Sequence, residues 1–317
     1  MAAEIERMFY TGETPWHGLG EGIEKAKTDP IFMSPVHTEP LYRVIDPTAE
    51  DGQPDGYAPV AAQCVVRDID GKILSHHVGP EWTPYQPTDG VAYFQQWEDA
   101  GFIKLETAGS LRGGQIQWIL GRINKDPMVV KGDDIVLKYV LLTWGHGTWA
   151  IRNGFTPTRV VCMNTLSAAI GDADSALIKV SHTKNCVTNV EKLRDVMNLA
   201  DQQFEATADQ YRYLASRDID AFDLRRYVKV VLKRPENEAV SVVTPTERKV
   251  IELFQGSGKG SQLESARGTW WGAYNAVAEH LTWEKGNDRA NRLEGLWLGG
   301  GKTVNRAALD IAVRMAA

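Results

Sequence analysis

The spacing of hydrophobic residues changes near residue 188. Before that point, apolar and β-branched residues form short runs or alternate with polar residues, which is typical of β-strands. After it, apolar residues recur every three or four positions, which is typical of amphipathic helices. The sequence therefore predicts an α+β protein in which a β-rich part precedes a helical part.

The β-rich part begins with a clear hairpin signal. Two β-forming runs within residues 61–78 flank Asp68-Ile69-Asp70-Gly71, and Gly71 can supply the positive φ that the turn needs. Thr88 is then predicted to cap a helix that stops at Gly101. An antiparallel meander follows, interrupted by a polar connection at 125–134. Its strands are predicted at residues 102–111, 115–123, 135–143 and 149–153.

The helical part carries several start signals. Thr188 with Glu191, and Thr244 with Glu247, match the capping-box pattern, in which two side chains satisfy free backbone N–H groups. The first is predicted to open a helix that runs to about residue 215. Shorter helices are predicted at residues 224–232, 244–255, 269–283 and 303–315.

These elements predict an antiparallel β-sheet, formed as hairpin, helix and meander, that is backed by helices and followed by a helical C-terminal region. We place a sheet core at residues 57–187 and the helical region at 188–317. Residues 1–56 are rich in Pro, Gly, Asp and Glu, which predicts an arm with little regular structure that packs on the core. Within the arm, residues 41–45 alternate like an edge strand, and the segment Thr14–Gly20 is predicted to anchor an indole or to place His17 in a site.

The stretch from Thr148 to Ile170 joins the two parts of the chain. It is predicted to begin as a strand, to bend at Gly-Phe-Thr-Pro (154–157) and to end in a short apolar helix from residue 160. Its central Cys162 lies in an apolar run, where a buried inert thiol is the usual outcome. The alternative is a nucleophile paired in space with His146 or His182.

Composition limits the possible functions. No run reaches 18 apolar residues, so no membrane span is expected, and the N-terminus lacks the features of a signal peptide. Three cysteines without CxxC spacing argue against a disulfide framework or a cysteine-based zinc site, and they favour a reducing cytoplasm. The net charge of -6 excludes a uniformly cationic surface and leaves room for one local basic groove.

Known catalytic motifs are absent from the sequence. It contains no HExxH, GxSxG, GxGxxG after a strand, or DxDxDG pattern, and the adjacent His76 and His77 would point to opposite faces of a strand. The glycine-rich segment 255–261 fails the Walker A pattern, because Leu253 stands at its first glycine position and Gly260 follows the lysine. We interpret this segment as a flexible linker, and we expect no metal, no cofactor and no catalytic residue.

Cationic and aromatic residues of the β-rich part predict a surface for nucleic acid, which needs cations for phosphates and aromatic rings for bases. The tip Arg112-Gly113-Gly114 suits a hairpin that approaches a ligand backbone, with a solvated turn as the alternative. Trp118 has a place in the core as its alternative. The candidate phosphate contacts are Lys104, Arg112, Arg122, Lys138, Arg152 and Arg159, and the candidate base platforms are Trp118, Trp144 and Trp149.

Three segments resemble one known family. Trp16-His17-Gly18-Leu19-Gly20, the run Thr158–Leu166, and Thr269-Trp270 with Ala273–Val277 are similar, in this order, to the phage- and plasmid-borne proteins of domain-of-unknown-function family 932. The chain departs slightly from that family in carrying Trp271 beside Trp270. The resemblance implies a protein of a bacteriophage, prophage or plasmid that works in a bacterial cytoplasm, and it implies no activity.

The order of predicted elements also resembles that of single-strand annealing proteins such as the phage Red-beta recombinase. This resemblance implies rings or filaments with DNA between sheet and helices. We therefore expect a non-catalytic, single-stranded DNA-binding and annealing protein that forms homo-oligomers. One alternative is an enzyme acting on nucleic acid or nucleotides, with a site around His146, Arg159 and Asn164. The other is a structural or host-interaction protein of a mobile element, which would expose an apolar patch.

Overall fold

The fold is α+β, as predicted, and contains two β-sheets and a helical C-terminal part. The computed structural model describes residues 5–11, 20–45, 56–159, 164–165, 177–191, 196–235, 239, 241–286, 295–296 and 299–317. The strands are β1 (Ile5–Tyr10), β2 (Glu21–Gly22), β3 (Val36–Val44), β4 (Tyr57–Arg67), β5 (Ile73–Val78), β6 (Ile103–Leu111), β7 (Ile116–Ile123), β8 (Met128–Lys131), β9 (Asp134–Gly145), β10 (Ile151–Arg159), β11 (Asn164–Thr165) and β12 (Leu177–Val180).

The large sheet has the strand order β11-β10-β9-β7-β6-β1-β2, with β12 added to β10 and β8 added to β9. All of its pairs are antiparallel except β1 with β2. The predicted meander forms its centre as β6, β7, β9 and β10. The predicted polar connection at 125–134 contains the extra strand β8, because Met128 and Val130 bury their side chains there.

The small sheet has the order β3-β4-β5. The predicted hairpin is confirmed as β4 and β5, with Gly71 at a φ of 66° in the turn. It pairs with β3 and not with the meander. The edge strand predicted at residues 41–45 is confirmed as the end of β3.

The prediction of little regular structure in residues 1–56 was wrong. Strand β1 pairs with β6 from Ile5 to Tyr10, and β3 adds nine residues to the small sheet. These pairings are long-range, so composition around the strands could not reveal them. Residues 12–19, which carry most of the Thr14–Gly20 segment, lie outside the described residues.

The predicted bend at residues 154–157 was also wrong, because β10 pairs with β9 without a break from Arg152 to Arg159. On its outer side, β10 pairs with β12 at Ile151–Gly154 and with β11 from Thr158 onward. Pro157 lies between these two pairings, so its missing N–H removes no hydrogen bond to an outer strand. The predicted helix from residue 160 falls mostly outside the described residues, and Asn164–Thr165 within it form a strand.

Seven α-helices lie within the described part of the chain. They are α1 (Pro87–Asp99), α2 (Cys186–Glu191), α3 (Val196–Ala215), α4 (Ala221–Val231), α5 (Pro245–Glu252), α6 (Trp270–Glu279) and α7 (Gly300–Ala316). No helix described here is long and apolar enough to cross a bilayer.

One of the three predicted helix caps is confirmed, and two are wrong. The capping box of Thr244 and Glu247 is confirmed at α5. Thr188 lies inside α2, which starts at Cys186, so it is not a cap. Helix α1 is capped by Gln86 with Asp89 instead of by Thr88, because Pro87 occupies the first helical position.

One face of the large sheet carries the helices. Asn153 on β10 donates through Nδ2 to the Tyr93 hydroxyl of α1 at 2.6 Å. Phe155, two residues further along β10, packs edge-to-face on Phe204 of α3 with ring centroids 5.3 Å apart. Since residues two apart in a strand share a face, we call this side of the sheet the helix face.

The helical region is tied to this face through Asp134 at the start of β9. Its buried carboxylate accepts the Nε1–H of Trp271 at 2.8 Å and the hydroxyl of Ser265 at 2.5 Å. Trp270 instead packs on Tyr227 of α4. The two neighbouring tryptophans therefore make different contacts. Trp271 joins α6 to the large sheet, and Trp270 joins α6 to α4.

Candidate nucleic-acid interface

The side of the large sheet away from the helices carries charged, hydroxyl and apolar side chains. Strand alternation places Arg122 of β7, Thr143 of β9 and Arg152 of β10 on this side, which we call the opposite face. Its middle is closed to solvent, since Leu141 and Thr143 are buried. Arg122 and Arg152 are half-buried, so the exposed charges of this face lie towards its rim.

Two cations meet across the ladder between β10 and β12. Arg152 lies directly opposite Lys179 and, on its other side, opposite Thr143. Lys179 is exposed. Like charges directly opposite each other in a ladder repel. Within the described part of the chain, neither cation has an ion pair that would offset this repulsion.

An arginine and a tryptophan stack near this pair. The Arg112 guanidinium lies 5.3 Å from the centroid of the Trp149 ring, and the Trp149 side chain packs beside Gly145 at the end of the opposite face. Only two residues lie between Trp149 and Arg152, so their Cα atoms are at most about 11 Å apart. We call Arg112, Trp149, Arg152 and Lys179 the cationic end.

The Arg112-Gly113-Gly114 tip is neither a free tip nor a solvated turn. All three residues have positive φ, and both glycines are buried against the β4–β5 hairpin. A Cβ on Gly113 would meet Lys72, and a Cβ on Gly114 would meet Arg67. The tip is therefore a packed corner between the two sheets, and Arg112 is the residue of the tip that reaches the cationic end.

Three of the residues predicted to contact nucleic acid are buried in the protein. Trp118 is 1% exposed, as its core alternative required, and Trp144 is fully buried with its Nε1–H donated to Gln117. Lys138 lies on the helix face, with its Nζ 3.6 Å from the centroid of the Phe204 ring. As placed here, these side chains offer no ring to a base and no charge to a phosphate.

The remaining predicted cations lie apart from the cationic end. Lys104 is exposed and lies directly opposite Arg122. Here an acid offsets the repulsion, because Glu106 pairs with Arg122 at 3.3 Å between Oε1 and Nε. Arg159 ends β10 opposite Val136, and its side chain lies outside the described residues.

Lys179 is a site residue that the sequence reasoning missed. Its signal was a four-residue strand, Leu177–Val180, in which one lysine interrupts apolar residues. So short a run carries little periodicity, and only its pairing with β10 brings the lysine to Arg152.

Two histidines that the sequence singled out lie close together where the two sheets meet. The rings of His146 and His182 both pack on Trp82, with centroids 6.3 Å and 4.7 Å from the indole. Neither ring nitrogen of His146 has a hydrogen-bond partner, and burial, together with His182 and Arg67, lowers its pKa to about 3. His146 is therefore neutral at physiological pH. Cys162, its proposed partner in nucleophilic catalysis, lies outside the described residues.

The glycine-rich segment 255–261 was predicted to be a flexible linker, and this prediction was wrong. The segment is a structured turn that binds a carboxylate. The backbone N–H of Lys259 donates to both oxygens of Glu279, at 3.0 and 3.1 Å. The ammonium group of Lys259 lies 4.1 Å from the Trp283 ring centroid. An internal carboxylate therefore occupies the place that a phosphate takes in a nucleotide-binding loop.

The described residues contain no group of three or more His, Cys, Asp and Glu side chains that could hold a metal ion. The histidine pair described above is thus not part of such a group.

Comparison with known proteins gives a family but no relative of known activity. No curated protein and no solved structure matches the chain. The family model described as domain of unknown function (DUF932) matches residues 75–297, well over half of the chain. This range includes the cationic end and the motifs at Thr158–Leu166 and Thr269–Val277. The chain therefore belongs to the DUF932 family.

Proposed function

We propose that the protein is a non-catalytic, single-stranded DNA-binding and annealing protein of a phage or plasmid, which acts in the bacterial cytoplasm. The observation that carries this proposal is the Arg152–Lys179 pair, two cations that face each other and have no ion pair among the described residues. A phosphate placed over the pair would relieve their repulsion and form charge-assisted hydrogen bonds with both.

The neighbouring Arg112–Trp149 stack supports the same proposal. Binding of single strands without sequence preference combines cations along the backbone with flat groups on which bases stack. An arginine held over an indole presents a flat cationic surface of this kind. The local charge matters more than the net charge of -6, because phosphate interactions decay over about a Debye length.

Fluorescence anisotropy of labelled single- and double-stranded oligonucleotides, titrated at low and moderate salt, tests this proposal. We expect salt-sensitive binding that favours single strands. The double variant Arg152→Ala/Lys179→Ala should lower affinity by about tenfold or more and reduce the salt slope by about one to two. Lys104→Ala removes an exposed lysine elsewhere on the sheet and is the matched control.

Two results would count against the proposal. One is the absence of binding to either form at low salt. The other is an equal loss in the double variant and in the Lys104→Ala control, which would indicate a diffuse charge effect. An annealing assay with complementary strands then separates annealing from simple binding, since only annealing requires two bound strands to meet.

We further propose that copies of the chain assemble into a ring or filament through the outer end of the small sheet. Tyr42, Val44 and Tyr57 lie on one face there and are 57%, 41% and 63% exposed. Solvent-exposed apolar groups in this number favour a protein partner. Light scattering should give a lower mass for Tyr42→Ser/Tyr57→Ser than for the unmodified chain. If the double variant forms the same oligomer as the unmodified chain, self-association uses another surface. If both are monomers, the chain does not self-associate.

A further inference from the structure

A cavity of about 380 Å³ lies in the helical region, apart from the sheets. It opens between the C-terminal end of α4, the start of α5, the turn after α6 and the N-terminal half of α7. Its volume is within the range of small-molecule sites, about 300–1,000 Å³. Neither the DNA-binding proposal nor the packing of the core accounts for it.

The floor of the cavity is apolar. Val231 of α4 and Leu281, in the turn after α6, are buried core residues, and Val304 of α7 packs against the same core. No charged group lies among these three side chains. A ligand would therefore place a hydrocarbon chain or ring against them and remove apolar surface from water.

The mouth of the cavity is cationic. Lys233 and Lys285 line it and are exposed. The acid that also lines it, Glu284, is paired with Lys249 at 3.6 Å. Among the described lining residues, the cavity therefore carries two lysines and one glutamate, and that glutamate is already paired with Lys249 outside the lining.

A histidine lies between floor and mouth. His280 lines the cavity, and its buried Nδ1 has no hydrogen-bond partner. Burial lowers the pKa of its imidazole, and the nearby Lys285 and Lys249 lower it further against the opposing effect of Glu284. The ring is therefore neutral and adds no positive charge to the wall of the cavity.

We propose that this cavity binds a small anionic amphiphile, whose apolar chain or ring fills the floor and whose carboxylate, phosphate or sulfonate group meets Lys233 and Lys285. The charge of the mouth selects the anion, and the volume limits the apolar part to about the size of an octyl chain. The proposal does not depend on DNA binding, because none of its residues belongs to the cationic end.

Isothermal titration calorimetry of the 317-residue chain with octanoate, octyl phosphate and octylammonium tests the proposal. We expect saturable one-to-one binding of at least one of the two anions. Octylammonium, with the same chain length and opposite charge, should bind at least tenfold more weakly. Comparing the two anions shows which head group the mouth prefers.

Two variants locate the site. Val304→Trp fills the floor and should weaken anion binding tenfold or more, provided that its circular dichroism and unfolding midpoint match those of the unmodified chain. Lys233→Glu changes only an exposed side chain and should weaken anion binding several-fold while leaving the fold intact. Lys104→Glu, on the large sheet, is the control and should bind normally.

Three outcomes would overturn the proposal. They are the absence of saturable binding of either anion, equal binding of octylammonium, and unchanged anion binding in Lys233→Glu. If Val304→Trp does not fold, the charge comparison and the Lys233→Glu variant still decide the question.

Discussion

Arg152 of β10 lies directly opposite Lys179 of β12, and neither cation has an ion pair with any residue that the structure describes. Ladder positions of this kind usually pair opposite charges, because like charges there destabilise the sheet. The Arg152–Lys179 pair therefore lowers the stability of the free protein. A phosphate bound between the two cations would replace their repulsion by attraction to the ligand, so the pair indicates an anion-binding site.

The Lys179→Glu variant should separate stability from binding. It places a carboxylate opposite Arg152, so we expect the free energy of unfolding to rise by about 0.2–1 kcal/mol. Single-stranded DNA affinity should fall at the same time, because a phosphate would then meet a negative charge. Urea denaturation and anisotropy measure the two effects, and a variant that binds as well as the unmodified chain would contradict the proposed role of Lys179.

The buried His146 should make the protein sensitive to acid. Burial lowers its pKa from 6.5 to about 3. Between these two pH values the imidazole is protonated in the unfolded chain and neutral in the folded chain. The stability that this neutral ring allows is complete above pH 6.5 and is lost as the pH falls from 6.5 towards 3, by at most about 1.4 kcal/mol per pH unit.

Replacing His146 by leucine should therefore flatten the pH dependence of the urea midpoint between pH 4 and 6.5. Stability at pH 7 should change little, because neither ring nitrogen has a partner to lose. His182 also has a lowered pKa, through burial, so part of the slope should remain. His76→Leu on the exposed side of β5 is the control, and a slope unchanged by His146→Leu would show that this histidine is not its source.

Arg67 should be a main contributor to the junction between the two sheets. Its guanidinium is 5% exposed and pairs with Glu6 of β1 at 2.8 Å and with Asp70 of the hairpin turn at 2.6 Å. Arg67→Ala removes the hydrogen bonds to these two partly exposed carboxylates and should cost about 1.5–3 kcal/mol. Lys72→Ala removes only an exposed cation 3.4 Å from Glu6 and should cost less than about 1 kcal/mol.

The ion pair between Arg67 and Asp70 should also make stability depend on pH. A hydrogen bond from Arg67 lowers the pKa of Asp70 from 3.8 to about 2. This contribution to stability is present above pH 3.8 and is lost as the pH falls through 2. Urea denaturation of both variants at pH 7 and pH 3 measures the contribution, and equal losses for Arg67→Ala and Lys72→Ala would contradict the assignment.

Trp271 should matter more to stability than its neighbour Trp270. Trp271→Phe removes the hydrogen bond to the buried carboxylate of Asp134 and should cost about 1.5–3 kcal/mol beyond the lost packing. Trp270→Phe loses packing on Tyr227 alone. Thermal unfolding of the two variants compares them directly, and equal shifts would mean that the hydrogen bond contributes nothing.

Local signals in the sequence predicted several elements well. Gly71 marks the β4–β5 turn because a glycine adopts its positive φ without a Cβ clash. Thr244 and Glu247 mark the start of α5 because their side chains satisfy the free N–H groups of its first turn. Both signals act within four residues, so they need no knowledge of the rest of the fold.

Signals that depend on distant partners were weaker. Lys138 and Arg152 looked equivalent as candidate phosphate contacts, yet alternation along the two strands places them on different faces of the sheet. For Trp118 the sequence left a base platform and a core position open, and burial decided for the core, whereas Trp149 lies beside a half-buried arginine. The sequence could not decide between them, because burial depends on which elements pack above each residue.

The sequence by itself determined the α+β class, the hairpin, the meander and several of the helices, because hydrophobic period and turn chemistry are local properties. Tertiary structure alone decided that β1 joins the large sheet, that Glu279 fills the glycine-rich turn, and that Lys179 meets Arg152. Each of these relationships joins residues that lie far from each other or in separate elements along the chain. They arise only when strand pairing and core packing bring these groups together, and the candidate site depends on that assembly.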